Sequence, residues 1–149
     1  MKHLDNPKEI ISLLRSVRKT MVALATGTTS TDGSSNLGGW CVLSSYVLFH
    51  MLKRRGYHPE VCRNHGHAFI NLDGWYIDIT VSQFNSASRL ERGIRYPAIY
   101  CKKTPAKDSV HWIVDKTDKA EEIWGNLCED WNQPLPLTNP VIRNLVENI

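Results

Sequence analysis

The order of elements in the sequence predicts an α+β domain: two N-terminal helices, a small set of antiparallel strands, then two more helices. Three observations carry that expectation. Apolar residues recur at helical spacing near the start of the chain, at Ile10, Leu13, Leu14, Val17, Met21 and Leu24. The stretch HAFINLDGWYIDIT, residues 67–80, alternates on both sides of Asp73-Gly74, which is the pattern of a hairpin closed by a two-residue turn. The 149 residues contain no internal repeat and no dividing linker, so residues 1–149 are expected to be one domain with a real core.

The first helix is announced by Asn6-Pro7-Lys8-Glu9, with Asn6 as cap, Pro7 at the first helical position and Glu9 reaching back. Residues 26–39, TGTTSTDGSSNLGG, read as a long loop, and long loops in compact domains are often functional. A second helix is expected over 40–55, stopped by Gly56 and kept from continuing by Tyr57-His58-Pro59. Residues 60–63 read as a short strand and Asn64-His65-Gly66 as a turn into the hairpin. Further strands are expected over 98–102 and 110–116. Asp118 is placed to cap a helix reaching Trp131, with Ile123, Trp124, Leu127 and Trp131 inward. Asn139-Pro140 starts a last helix bearing Val141, Ile142, Leu145 and Ile149.

Composition narrows the function classes. Hydrophobic residues make up 42% and charged residues 22%, as in ordinary globular domains, and a net charge of +3 is too mild to argue for nucleic acid. The one basic run, Lys53-Arg54-Arg55, suits the negative end of a helix dipole. No stretch is long and apolar enough to cross a membrane, and the N-terminal segment carries carboxylates where a secretion signal needs an unbroken apolar core. The expectation is an intracellular, cytoplasmic protein. Its four cysteines, 41, 62, 101 and 128, are then reduced thiols.

The hairpin carries the chemistry. With a two-residue turn, Leu72 faces Trp75, Ile70 faces Ile77 and Phe69 faces Asp78. Ala68, Ile70, Leu72, Trp75, Ile77 and Ile79 then share one apolar face, while His67, Phe69, Asn71, Tyr76, Asp78 and Thr80 share the other. His67 and Asp78 are diagonal neighbours on that second face, within reach of each other. Cys41 follows Gly38-Gly39 in the first turn of the second helix, where unpaired amides and the helix dipole favour a thiolate. Cys41 as nucleophile, His67 as base and Asp78 as the group that fixes the ring make a coherent acyl-transfer triad. Asn36 and Trp40 are candidates for the oxyanion donor, and Phe69, Tyr76 and Trp40 for walls of the substrate cleft.

The segment GGWCVLSSYVLFHMLKRRGYHPEVCRNHGHAFINLDGWYIDIT, residues 38–80, resembles the transglutaminase-like superfamily within the broader papain-like fold. The resemblance lies in a Cys at a helix start, a helix ending in Arg-Gly, His-Ala-aromatic opening a strand, and an Asp followed by Thr at the end of the next. Ile77-Asp78-Ile79-Thr80 followed by Gln83-Phe84 is similar to compact bacterial and phage-type members. It implies N-terminal helices packed on a small antiparallel sheet and Cys41, His67 and Asp78 as nucleophile, base and acid. It further implies amide hydrolysis, deamidation or transamidation through a thioester on a protein or peptide substrate, without metal or organic cofactor. Two other readings are kept. The chain could hold this fold as an inactive binding module, or Cys62, His65 and His67 could ligate zinc with Asp78 or Cys101 as a fourth ligand.

Overall fold

The fold is known from a computed structural model, which describes residues 2–26, 37–85, 90–93, 95–105, 109–128 and 133–147, with the backbone alone at 123 and 126–128. It is α+β. A 3-10 turn, Pro7–Glu9, is capped by Asn6, whose side chain accepts the amide of Lys8. Helix α1, Ile11–Thr26, comes next, so the single helix expected from Pro7 onward is divided after its first turn. Helix α1 buries Leu13, Leu14, Val17, Met21 and Ala25, and Leu24 is only half-buried.

Helix α2, Cys41–Arg54, is the central element. Ten of its residues are buried, on nearly every side, which is the mark of a helix inside a core rather than on its surface. Helix α1, the sheet and two later helices, α3 (Ala120–Cys128) and α4 (Pro140–Glu147), all pack against α2. The predicted inward residues of α3 are described only at Trp124, which is half-buried against Tyr46; Trp131 lies outside the described residues, as do the side chains of Ile123 and Leu127. On α4, Ile142 and Leu145 are buried, Val141 is exposed and Ile149 is outside the described residues.

Five antiparallel strands form one sheet in the order β4-β3-β2-β1-β5: β1 Glu60–Asn64, β2 His67–Leu72, β3 Trp75–Asp78, β4 Tyr100–Lys102 and β5 Asp115–Thr117. The β2–β3 register pairs Leu72 with Trp75, Asn71 with Tyr76 and Ile70 with Ile77, as the alternation predicts. Asp73 and Gly74 have φ of 51° and 84°, the double left-handed geometry of a type I′ turn. Val61, Ala68, Ile70, Leu72, Ile77 and Ile79 belong to the main core with α1 and α2.

The strand expected over 110–116 is corrected to Asp115–Thr117. Alternating Val110, Trp112 and Val114 look like a strand, yet residues 109–111 close a local turn in which the amide of His111 donates to Ser109 Oγ at 3.2 Å. Trp112, Ile113 and Val114 are left exposed. A smaller cluster of Val81, Tyr96 and Tyr100, with Tyr76, Phe84 and Val110, packs away from the main core. Among the described residues no helix is long and apolar enough to cross a membrane.

Candidate active site

Position 41 is set by a tight turn. Trp40 N donates to Leu37 O at 3.0 Å, with Leu37 and Gly39 both left-handed, at φ 64° and 82°. Left-handed backbone costs a residue with a side chain about 1–2 kcal/mol. Leu37 is fully buried, so packing holds that strain immediately before the helix. Trp40 occupies the cap position of α2 without a side-chain cap bond, and no carboxylate lies in the first turn. The first amides of α2, beside the thiol of Cys41, thus take no bond from the side chain of their cap residue.

His67 opens β2. Continuing the hairpin register by one pair sets Asp78 across from Phe69 and diagonal to His67. The ring reaches the acid: His67 Nε2 lies 2.5 Å from Asp78 Oδ2. Its Nδ1 makes no hydrogen bond among the described residues, and Cys41 lies near enough to the ring to contribute to its electrostatics. The three residues singled out by sequence thus meet, and all are buried, with Cys41 at 2%, His67 at 1% and Asp78 at 2% exposure.

The carboxylate of Asp78 is saturated. Thr80 N donates to Oδ1 at 2.8 Å and Thr80 Oγ1 at 3.2 Å, while Oδ2 accepts both His67 Nε2 and, at 2.7 Å, His111 Nε2. Four donors fill the four lone-pair positions of an ionised carboxylate. Burial alone would raise the Asp78 pKa, but the charge of His67 and the bonds from His111 and His67 hold it well below the usual carboxylate range. Burial would likewise lower His67, and the charge and bond of Asp78, joined by Cys41, override it and raise the imidazolium pKa above its ordinary value.

His111 and Arg18 are the residues that sequence reasoning missed. His111 is fully buried, stacked on Tyr100 at 4.1 Å between ring centres and edge-on to Phe69 at 4.9 Å. Its Nδ1 lies 2.5 Å from Ser109 Oγ. Arg18 reaches from α1 to the carbonyl of Ile79 with Nη1 at 2.5 Å, and its charge is felt at Asp78. Its signal was a cation between Leu14 and Met21, at the border of the buried stripe of α1.

The cleft residues are corrected. Trp40 and Phe69 are core side chains, at 0% and 1% exposure, and so present no wall to a substrate. Tyr76 is half-buried and packs against the Val81 cluster. Asn36 lies outside the described residues. The indole Nε1 of Trp40 and the hydroxyl of Ser44 are buried with no hydrogen-bond partner among the described residues.

The zinc set is not assembled either. His65 is exposed in the β1–β2 turn, Cys62 pairs with Phe69, and Cys101 pairs with Ile77, on the sheet face opposite to Asp78. Among the described residues, the three side chains that could share a metal ion are His67, Asp78 and His111, with ligand atoms within 4.8 Å of one another. Both Nε2 atoms lie at hydrogen-bond distance from Oδ2. The donor set is therefore a hydrogen-bonded trio. Comparison with protein-family models, with curated proteins and with solved structures finds no match.

Proposed function

We propose that this chain is a cysteine-dependent acyl-transfer enzyme of transglutaminase-like, papain-like architecture, acting on amide groups of a protein or peptide through a thioester on Cys41. The observation that carries the reading is a buried imidazole, His67, bonded to the Asp78 carboxylate through Nε2, with Cys41 near enough to contribute to its electrostatics. Asp78 fixes the proton on Nε2, which leaves Nδ1 to take the proton of Cys41. The sulfur then attacks the amide carbon, the C–N bond breaks as Nδ1–H protonates the departing nitrogen, and a thioester remains. Water or an amine closes the cycle by attacking the thioester carbon; its proton goes to His67 and the sulfur leaves as thiolate.

Charge stabilisation next to the sulfur is supported by the N-terminus of α2, where the cap residue Trp40 makes no side-chain cap bond and no carboxylate lies in the first turn. The chemistry requires reduced thiols, in keeping with the cytoplasmic setting expected from the sequence.

The burial of Cys41 and His67 favours a second reading, a transglutaminase-like module that binds without turning over. Thiol reactivity separates the two. With iodoacetamide at pH 6 and peptide mapping by mass, Cys41 is expected to be alkylated at least about 10-fold faster than Cys62 or Cys101. Burial, aided by Glu60, pushes the Cys62 thiol up to about 12, and burial pushes Cys101 up to about 11. Equal labelling of the three would leave the binding reading in place.

A further inference from the structure

We propose, resting on the acyl-transfer reading, that His111 is a positioning residue of this site: a second histidine that clamps Asp78 through Oδ2 and sets how strongly that carboxylate holds His67. Triad logic needs one imidazole on the acid; here two donate to one oxygen, His67 Nε2 at 2.5 Å and His111 Nε2 at 2.7 Å. Both ring nitrogens of His111 are engaged, Nε2 by Asp78 and Nδ1 by Ser109, in a fully buried ring, so it acts through Asp78.

The ring is fixed on every side. Ser109 Oγ accepts the amide of His111, and its hydroxyl hydrogen is then free to donate to Nδ1, 2.5 Å away. That assignment leaves the ring proton on Nε2 and satisfies every polar atom of the pair. Tyr100 stacks on one face of the ring and Phe69 meets it edge-on. The chain gives up strand pairing at 110–111 to make this arrangement, although Val110, Trp112 and Val114 alternate as a strand would.

Sharing one oxygen has physical consequences. A second donor draws charge from Oδ2, so it keeps Asp78 ionised and also tempers the pull of Asp78 on the imidazolium of His67. The bond from His111 is among the causes that hold the Asp78 pKa down. Among the described residues, the other ionisable or charged groups facing the trio are Cys41 from α2, Arg18 from α1, and Tyr96 and Tyr100 around His111.

The test is the titration of His67, tracked by imidazole 1H–15N spectra of the whole chain. In His111→Phe the pH at which His67 loses its proton is expected to rise by about one unit, the size of one hydrogen bond to a charged group. His111→Gln, whose amide N–H replaces Nε2–H, is expected to return the midpoint to the wild-type value. Ser109→Ala, which frees the ring to change tautomer, shifts the midpoint in the same direction by a smaller amount and decides the matter should His111→Phe not fold. An unchanged midpoint in the folded His111→Phe protein, or in Ser109→Ala in its place, overturns the positioning role. The acyl-transfer reading is judged separately, by His67→Ala: it fails if that change leaves alkylation of Cys41 at pH 6 unaltered.

Discussion

Replacing Asp78 by Asn removes a charge while keeping the shape, and the hydrogen bonds around the side chain dictate the response. Oδ1 accepts two donors from Thr80, one of them a backbone amide that cannot turn away. The amide oxygen of the new side chain must therefore stay on that side, and its NH2 group must take the place of Oδ2. Both Nε2 atoms that donated to Oδ2 then have to become acceptors, so both rings move their proton to Nδ1. His111 can do this by donating to Ser109. His67 then turns an N–H toward Cys41 and has no site for the thiol proton. A positioned base is worth roughly 10²–10⁴-fold, so alkylation of Cys41 at pH 6 should fall by at least about 100-fold. Stability should change far less. Four bonds to a charge become four neutral ones, a loss of about 1 kcal/mol each, but the desolvation of a buried carboxylate, itself several kcal/mol, is no longer incurred. The midpoint of urea unfolding should thus stay near that of the wild type while reactivity is lost. Asp78→Asn protein that is folded and labels at the wild-type rate would refute the tautomer argument.

Two other perturbations bear on stability. His67 is raised to about 10 from an ordinary 6.5, so its contribution is whole below pH 6.5 and is lost as pH climbs to about 10. Asp78 is depressed from 3.8, so its contribution is present above that value and is lost as acid titrates the folded carboxylate. Urea midpoints measured across pH should be highest between about 4 and 6.5, and His67→Ala should flatten the alkaline decline; an undiminished decline in that variant means another group causes it. Gly74→Ala should cost about 1–2 kcal/mol, wholly from the left-handed backbone at φ 84°, because a Cβ there meets nothing within 4 Å. Thermal unfolding unchanged by that substitution would mean the hairpin turn rearranges.

How much of this was legible in the sequence depends on the range of each signal. The His67–Asp78 pair was, because the Asp73-Gly74 turn admits few geometries and a one-residue slip would turn the apolar set of 68, 70, 72, 77 and 79 outward. Cys41 was legible from its place at a helix start. His111 was not: 33 residues separate it from Asp78, and its neighbours Val110, Trp112 and Val114 carry the period of a strand that does not form there. Arg18 was not legible either, because periodicity says nothing of a carbonyl 61 residues away.

The burial of the site was illegible for a more general reason. Alternation marks the His67, Asp78 and Thr80 face as polar, and polar faces are assigned to water. Here tyrosines at 76, 96 and 100 and Phe84, scattered along the chain, gather near that end of the hairpin, with Phe84 edge-on to the His67 ring at 4.9 Å. Enclosure of the carboxylate is tolerable because its lone pairs are met, with four donors on Asp78, and His111 is in turn bonded to Ser109. The deviation at 109–111 and the enclosure of the site are thus linked. Without His111 folded inward, the aspartate would keep an unfilled lone pair in a space lined by aromatic rings. An ionised acid there would lose one of the bonds that offset its desolvation.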